Sequence, residues 1–147
     1  MAVLFAAVVS LFLVRGGHAA RHSRLGPAAC TITGTPGPDT LIGTPGRDVI
    51  CGLGGNDVID GNGGNDILRG GPGNDILGGG NGNDVLEGGP GADRLQGDRG
   101  NDRVYGGLGN DTIFAWDGFA DHLDGGPGRD RAWKDPLDHV VRIERFG

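Results

Sequence analysis

A nine-residue repeat runs without insertion or deletion through residues 34–114 and constrains the fold more than any other feature. Nine consecutive units begin at Gly34, Gly43, Gly52, Gly61, Gly70, Gly79, Gly88, Gly97 and Gly106. Each unit has glycine at positions one and four, aspartate at position six and an aliphatic residue at position eight, as in GGPGNDILG over residues 70–78. A short period repeated this often is typical of solenoids, in which each unit packs on its neighbours.

Within each unit, the residue types predict a tight turn followed by a three-residue strand. The first six positions are rich in glycine and asparagine, which tolerate the left-handed backbone of turns. Side chains alternate along a strand, so position eight faces one side and positions seven and nine face the other. The predicted core is therefore position eight, occupied by Leu41, Ile50, Ile59, Leu68, Leu77, Leu86, Leu95, Val104 and Ile113.

Position seven is aliphatic in five units and is expected to point outward. These residues are Val49, Val58, Ile67, Ile76 and Val85. We interpret them as strand-forming residues on a solvated surface. Two apolar stripes used for self-association or for a partner are the alternative.

The repeat resembles the haemolysin-type calcium-binding repeats, also called RTX repeats, with the signature G-G-x-G-x-D-x-U-x, where U is a large aliphatic residue. The agreement covers a little over half of the chain in nine copies. The resemblance implies an all-β chain folded as a right-handed parallel β-roll with short N- and C-terminal caps. Two nonapeptides would complete one coil, and Ca²⁺ would lie between stacked turns. The implied ligands are Asp39, Asp48, Asp57, Asp66, Asp75, Asp84, Asp93, Asp102 and Asp111, followed by Asp121 and Asp130 in degenerate units.

Electrostatics supports calcium at these aspartates independently of the resemblance. Units two apart would stack about 5 Å from each other, and like charges at that separation repel by about 3 kcal/mol at an effective dielectric constant of 20. Ca²⁺ accepts carboxylate and carbonyl oxygens in flexible geometry, whereas Mg²⁺ demands a tight octahedron. We therefore expect metal binding and folding to be one event. Aspartate that only makes turns is the alternative, but position six never carries asparagine or serine. Sites beside Thr35 and Thr44, which replace the second glycine, and sites near the ends are expected to be weaker.

The N-terminal sequence predicts export. Residues 3–14 are almost wholly apolar, too few to span a bilayer comfortably, and small residues follow them. We predict a signal peptide over residues 1–19, although no Lys or Arg precedes the apolar run. An uncleaved anchor or a buried strand is the alternative. Residues 20–33 are expected to be a disordered N-terminus and an N-cap, and no membrane span is expected after signal removal.

Cys30 and Cys51 are the two cysteines of the chain. In an oxidising compartment such a pair most simply forms one disulfide, worth on the order of 3 kcal/mol for a loop of this length. Stacked coils would place the two residues about 10 Å apart along the strand, too far without a bend. We therefore expect Cys30 in an irregular cap folded over the first coil, with two free thiols as the alternative.

Residues 115–147 depart from the period. Residues 115–124 form a ten-residue degenerate unit, and residues 125–133 restore the motif with Ala132 at the core position. A solenoid needs its open apolar end covered. We interpret Trp133 and a strand over residues 139–146 as a C-terminal cap, with an aromatic ligand site as the alternative.

Composition narrows the function further. The net charge of −6 argues against nucleic-acid binding, which needs clustered Lys and Arg. Neither a G-x-S-x-G nor an H-E-x-x-H motif occurs, and no serine follows Ser23, so we do not expect an enzyme. The sequence predicts a secreted calcium-binding protein with a structural or adhesive role and an unidentified partner. A secreted toxin or hydrolase-related protein that keeps only its RTX-like repeats is the alternative.

Overall fold

The computed structural model of the protein describes residues 29–147, with the backbone alone at residues 145 and 146. Within this range all regular secondary structure is β-strand, so no helix there could cross a membrane. The strands are β1 (Ile32–Thr33), β2 (Thr40–Ile42), β3 (Val49–Cys51), β4 (Val58–Asp60), β5 (Ile67–Arg69), β6 (Ile76–Asn81), β7 (Val85–Pro90), β8 (Arg94–Arg99), β9 (Arg103–Leu108), β10 (Thr112–Ala115), β11 (His122–Asp124), β12 (Arg131–Lys134), β13 (His139–Val141) and β14 (Arg145–Phe146). The predicted signal peptide (1–19) and residues 20–28 of the predicted disordered N-terminus and N-cap (20–33) lie outside the described residues.

The strands form two parallel seven-stranded sheets. One sheet holds the odd-numbered strands in the order β1-β3-β5-β7-β9-β11-β13, and the other holds the even-numbered strands from β2 to β14. Through the regular repeats each residue pairs with the residue 18 positions later, as Leu41 pairs with Ile59 and Ile50 with Leu68. Eighteen residues are two units, so two nonapeptides complete one coil. The predicted parallel β-roll is confirmed.

The core lies between the two sheets and consists mainly of position-eight side chains. Eight of the nine predicted core residues are 0–1% exposed, and Leu41 at the N-terminal end is partly buried against them. Leu123, Ala132 and Ala115 extend the same cluster toward the C-terminus. The core prediction from the period of nine is therefore confirmed.

Position two of most turns requires a left-handed backbone. Glycine meets this requirement at Gly71, Gly80, Gly89 and Gly107, whose φ angles lie between 97° and 116°. Three other residues hold the same conformation: Leu53 (φ 81°), Asn62 (φ 71°) and Asp98 (φ 65°). Asn and Asp tolerate it, but an aliphatic side chain does so at a cost.

We expect Leu53→Gly to stabilise the protein by about 0.5–1 kcal/mol, because it removes the left-handed strain at the expense of some chain entropy. The Leu53 side chain is 48% exposed and contributes little packing. Leu108→Gly is the matched control, since Leu108 is 54% exposed but lies in β9 with ordinary φ. Urea unfolding in saturating calcium measures both variants. A gain in the control, or a loss at position 53, would contradict the assignment of strain.

The position-seven residues behave differently on the two sheets. On the even-numbered sheet Val58 and Ile76 are 42% and 48% exposed, as predicted. On the odd-numbered sheet Val49 and Ile67 are only 7% and 4% exposed and form a second small apolar cluster with Cys51. The expectation of outward-facing solvated residues therefore holds for one sheet only.

Cys30 and Cys51 form a disulfide, as predicted, with a Cα–Cα distance of 6.0 Å. The stacking register is also as expected, since Thr33 pairs with Cys51. The chain bends at Thr31, between Cys30 and the first strand, and this bend removes the separation of about 10 Å expected for an unbent register. Cys30 packs against the outer cluster of the odd-numbered sheet, which includes Cys51.

The C-terminal cap differs from the prediction in two respects. Residues 139–146 form two strands, β13 and β14, which belong to opposite sheets and are separated by Arg142 in a left-handed conformation (φ 50°). Trp133 does not cover the end of the core. It stacks on Phe114 of the neighbouring strand, with ring centroids 5.0 Å apart. The residues that pack against this end of the core are Val140 and Ile143.

Candidate metal centres

The position-six aspartates form two columns, one along each turn edge of the roll. From Asp57 onward, the Oδ1 atom of each column carboxylate accepts a hydrogen bond from the backbone N–H of the preceding aspartate in the column, one coil earlier. The N–H of Asp57, for example, lies 2.8 Å from Oδ1 of Asp75. The same bond joins Asp39 to Asp57, Asp48 to Asp66, Asp66 to Asp84, Asp75 to Asp93, Asp84 to Asp102, Asp93 to Asp111, Asp102 to Asp121 and Asp111 to Asp130.

The second oxygen of most of these carboxylates is buried without a hydrogen-bond partner. Among the described residues the unpaired Oδ2 atoms in the columns belong to Asp57, Asp66, Asp75, Asp84, Asp93, Asp102, Asp111, Asp121 and Asp130. These residues are 0–3% exposed. A buried carboxylate oxygen without a hydrogen bond or a cation is strongly unfavourable. The arrangement therefore calls for a positive partner. The ion pairs of Arg69 with Glu87 and of Arg142 with Asp124 lie outside the two columns.

The glycines at position one leave room for this partner. A Cβ built on Gly70 would lie 2.3 Å from Oδ2 of Asp75 and 2.7 Å from the carbonyl oxygen of Gly88. The same pair of oxygens, one carboxylate and one carbonyl, meets the Cβ position of Gly52, Gly79, Gly88 and Gly106. All these donors are oxygen, which is the ligand type that Ca²⁺ prefers.

The same chain segment matches a known family. The model for the RTX calcium-binding nonapeptide repeat matches in four copies, over residues 31–59, 42–77, 52–86 and 87–119. Together these matches span residues 31–119, well over half of the chain. The protein belongs to the RTX calcium-binding repeat family. A comparison with curated proteins found no matching relative. The buried oxygen-lined turns and the family agree on a calcium-binding β-roll.

Burial makes the RTX aspartates of the later coils weak acids in the metal-free fold. Desolvation, with a smaller contribution from neighbouring carboxylates, raises the pKa of Asp93 and Asp102 to about 7 and that of Asp84, Asp111 and Asp121 to about 6. The backbone hydrogen bond to Oδ1 opposes the shift but is outweighed. The pKa values of Asp66, Asp75 and Asp130 are also raised, with desolvation as the largest cause.

The first two RTX turns satisfy their aspartates without an ion. In the second turn, Oδ2 of Asp48 accepts hydrogen bonds from both the backbone N–H and the hydroxyl of Thr44, at 2.6 and 2.8 Å. Thr35 makes the same two bonds to Asp39 in the first turn. The pKa of Asp48 is lowered, mainly by the backbone and hydroxyl bonds from Thr44. The threonines thus donate hydrogen bonds to the carboxylate oxygen that is unpaired in the turns from Asp57 onward. This is a physical reason to expect weaker calcium sites in the first two turns.

Two further acids continue the columns and were not among the predicted ligands. Oδ1 of Asp138 accepts from the N–H of Asp121 at 3.1 Å, and Oε2 of Glu144 accepts from the N–H of Asp130 at 2.7 Å. The sequence carried a signal for the first one, since residues 138–141 read D-H-V-V and match positions six to nine of the repeat. The signal for Glu144 is weaker because its preceding turn is shortened.

Proposed function

We propose that the protein is an exported calcium-binding β-roll with a structural or adhesive role outside the cell, and that calcium is required for its folding. The observation that carries the proposal is the pair of columns of buried aspartates with unpaired Oδ2 atoms. Bound calcium would supply the positive charge that these carboxylates lack. Position-six aspartates of successive coils, such as Asp57 with Asp75 and Asp66 with Asp84, would hold each ion together with nearby carbonyl oxygens.

Folding without calcium is opposed by the same columns. Over residues 29–147 the columns contain nine buried, unpaired carboxylate oxygens, and the core of the roll is only one aliphatic layer per strand. Ordering each residue costs about 1–2 kcal/mol of chain entropy, and glycine loses the most freedom. The 33 glycines of the chain therefore raise the cost of ordering it. A ligand that binds only the folded chain offsets this cost.

Several observations support an extracellular, non-catalytic role. The Cys30–Cys51 disulfide is typical of an oxidising compartment, and the apolar run over residues 3–14 has the form of an export signal. Extracellular calcium modules commonly bind with dissociation constants of about 10⁻⁴–10⁻³ M, which matches the calcium available outside cells. The column aspartates accept backbone hydrogen bonds that join successive coils, as Asp75 does from Asp57. Neither hydrolase motif considered above occurs in the sequence.

Circular dichroism during a calcium titration tests the proposal. We expect the disulfide-bonded chain to be largely unstructured in chelator and to gain β-structure cooperatively as calcium is added. Magnesium is the control and should have little effect at the same concentrations, because it dehydrates reluctantly and demands octahedral geometry. A chain with full β-structure in chelator at neutral pH would overturn the coupling of folding to calcium. Absence of calcium binding by calorimetry would overturn the proposed function itself.

A further inference from the structure

The ten-residue unit over residues 115–124 brings a third carboxylate to one place in the aspartate columns. One carboxylate oxygen from each of Asp102, Asp117 and Asp121 lies within 4.8 Å of the other two. Within the described residues this is the one such group of three acidic or metal-ligating side chains. Asp102 and Asp121 are successive members of a column, whereas Asp117 belongs to the irregular turn and has no counterpart in the repeat.

Each of the three side chains in this cluster has one buried oxygen without a hydrogen bond. Asp102 and Asp121 are 1% and 3% exposed, and the Oδ2 atom of each is buried without a hydrogen bond. Oδ2 of Asp117 is likewise buried and unpaired, although other parts of the residue are accessible. The cluster is therefore more than an acidic surface patch, since its oxygens have lost water and gained no donor in return.

The irregular turn holds Asp117 in a defined position. Its Oδ1 accepts from the N–H of Phe119 at 2.9 Å, and its Oδ2 remains without a hydrogen-bond partner. The next residue, Gly118, donates its N–H to Oδ2 of Asp135 at 2.8 Å, and Asp135 is 7% exposed. In the folded chain these bonds hold the turn without help from an ion, and a rigid site loses less entropy on binding.

We propose that Asp102, Asp117 and Asp121 form a three-carboxylate calcium site that binds more tightly than the two-carboxylate sites elsewhere in the roll. The inference rests on the proposed calcium function and adds a ligand from outside the repeat. Calcium affinity rises with the number of charged ligands and with the rigidity of the site, and both are greater here. An open cleft of about 510 Å³ lies beside Asp102 and Asp121. This site fills first, so ordering of the roll starts near its C-terminal end.

Asp117→Asn in the full chain tests the site. The amide retains an oxygen to accept from Phe119, so the turn is kept while one charge is lost. The matched control is Asp60→Asn. Asp60 is exposed, and its Oδ1 accepts a hydrogen bond from the N–H of Asn62, two residues later, at 2.8 Å, as Oδ1 of Asp117 does from Phe119. Calcium binding is measured by calorimetry. Terbium(III) emission sensitised by tryptophan provides a second readout, since Trp116 adjoins Asp117.

We expect the parent chain to show one tight calcium step ahead of weaker ones, and Asp117→Asn to weaken that step on the order of tenfold while Asp60→Asn leaves it unchanged. Tryptophan-sensitised terbium emission should fall in parallel. Asp117→Glu keeps the charge, should recover part of the affinity, and serves as the folding check for Asp117→Asn. Identical isotherms for Asp117→Asn and the parent would overturn the inference and leave the proposed function intact. Equal weakening by both asparagine variants would also overturn it, as a general charge effect. A parent chain that binds no calcium would overturn both.

Discussion

Replacing Gly91 by alanine will destabilise the calcium-loaded roll by at least about 3 kcal/mol, a large part of the stability of a small protein. Gly91 has φ 152°, and a Cβ added there would lie 1.6 Å from the carbonyl oxygen of Gly73 in the coil below. That oxygen belongs to the backbone and cannot rotate away. The two coils must separate locally, and both the inter-coil hydrogen bonds and the oxygen-lined turn are disturbed.

Gly78→Ala is the matched control for this prediction. Gly78 lies in β6, and a Cβ added to it meets no atom within 4 Å. We expect its effect to lie within about 0.5 kcal/mol of the parent or to be slightly stabilising. Urea unfolding in saturating calcium compares the two variants directly. Similar midpoints for both would show that the coils do not stack as closely at position four as the structure indicates.

The contrast between these glycines shows why the period of nine predicted the fold so well. Each position of the unit has one steric environment, because coil stacks on coil with an 18-residue register. Glycine at position four lies under a carbonyl, the aliphatic residue at position eight lies between the sheets, and the aspartate at position six reaches the next coil. A pattern repeated nine times therefore specifies the register, the core and both aspartate columns at once.

Prediction failed where the spacing changes. After Phe114 the pairing offset becomes 19 residues, as for Val104 with Leu123, then 17 for Leu123 with Val140. Ala132 pairs with Phe146 at an offset of only 14. Turns of different length follow no repeat, so the sequence did not predict that residues 139–146 would be divided between two sheets.

Prediction from the sequence also failed for contacts made by residues that depart from the repeat. That the position-two threonines would weaken sites could be expected, but not that Thr44 donates two hydrogen bonds to Asp48. Asp117 gave no signal at all, because it lies outside the repeat and meets Asp102 and Asp121 only in three dimensions. Likewise a distance along the strand could not reveal the bend at Thr31 that lets the cysteines meet.

The raised carboxyl pKa values predict an unusual pH dependence in chelator. In the metal-free fold the pKa is about 7 for Asp93 and Asp102 and about 6 for Asp84, against 3.8 for an unperturbed Asp. A carboxyl whose pKa is raised on folding binds its proton more tightly in the folded state. It therefore contributes stability that is full below about pH 4 and is lost as the pH rises to about 7. We expect the metal-free chain to gain β-structure and resistance to urea when the pH is lowered from 8 to 5.

Calcium should reverse this dependence, because it competes with the same protons. Each ion needs ionised carboxylates, so binding near pH 6 should release protons, and affinity should fall on the order of tenfold between pH 7.5 and 5.5. Circular dichroism in chelator measures the pH dependence of metal-free folding. Calorimetry in buffers of different ionisation enthalpy measures the proton release on calcium binding. Most proteins whose carboxylates are paired with Lys or Arg become less stable on acidification. If the metal-free chain did so between pH 8 and 5, its column aspartates would not be the buried, unpaired acids on which calcium-dependent folding rests.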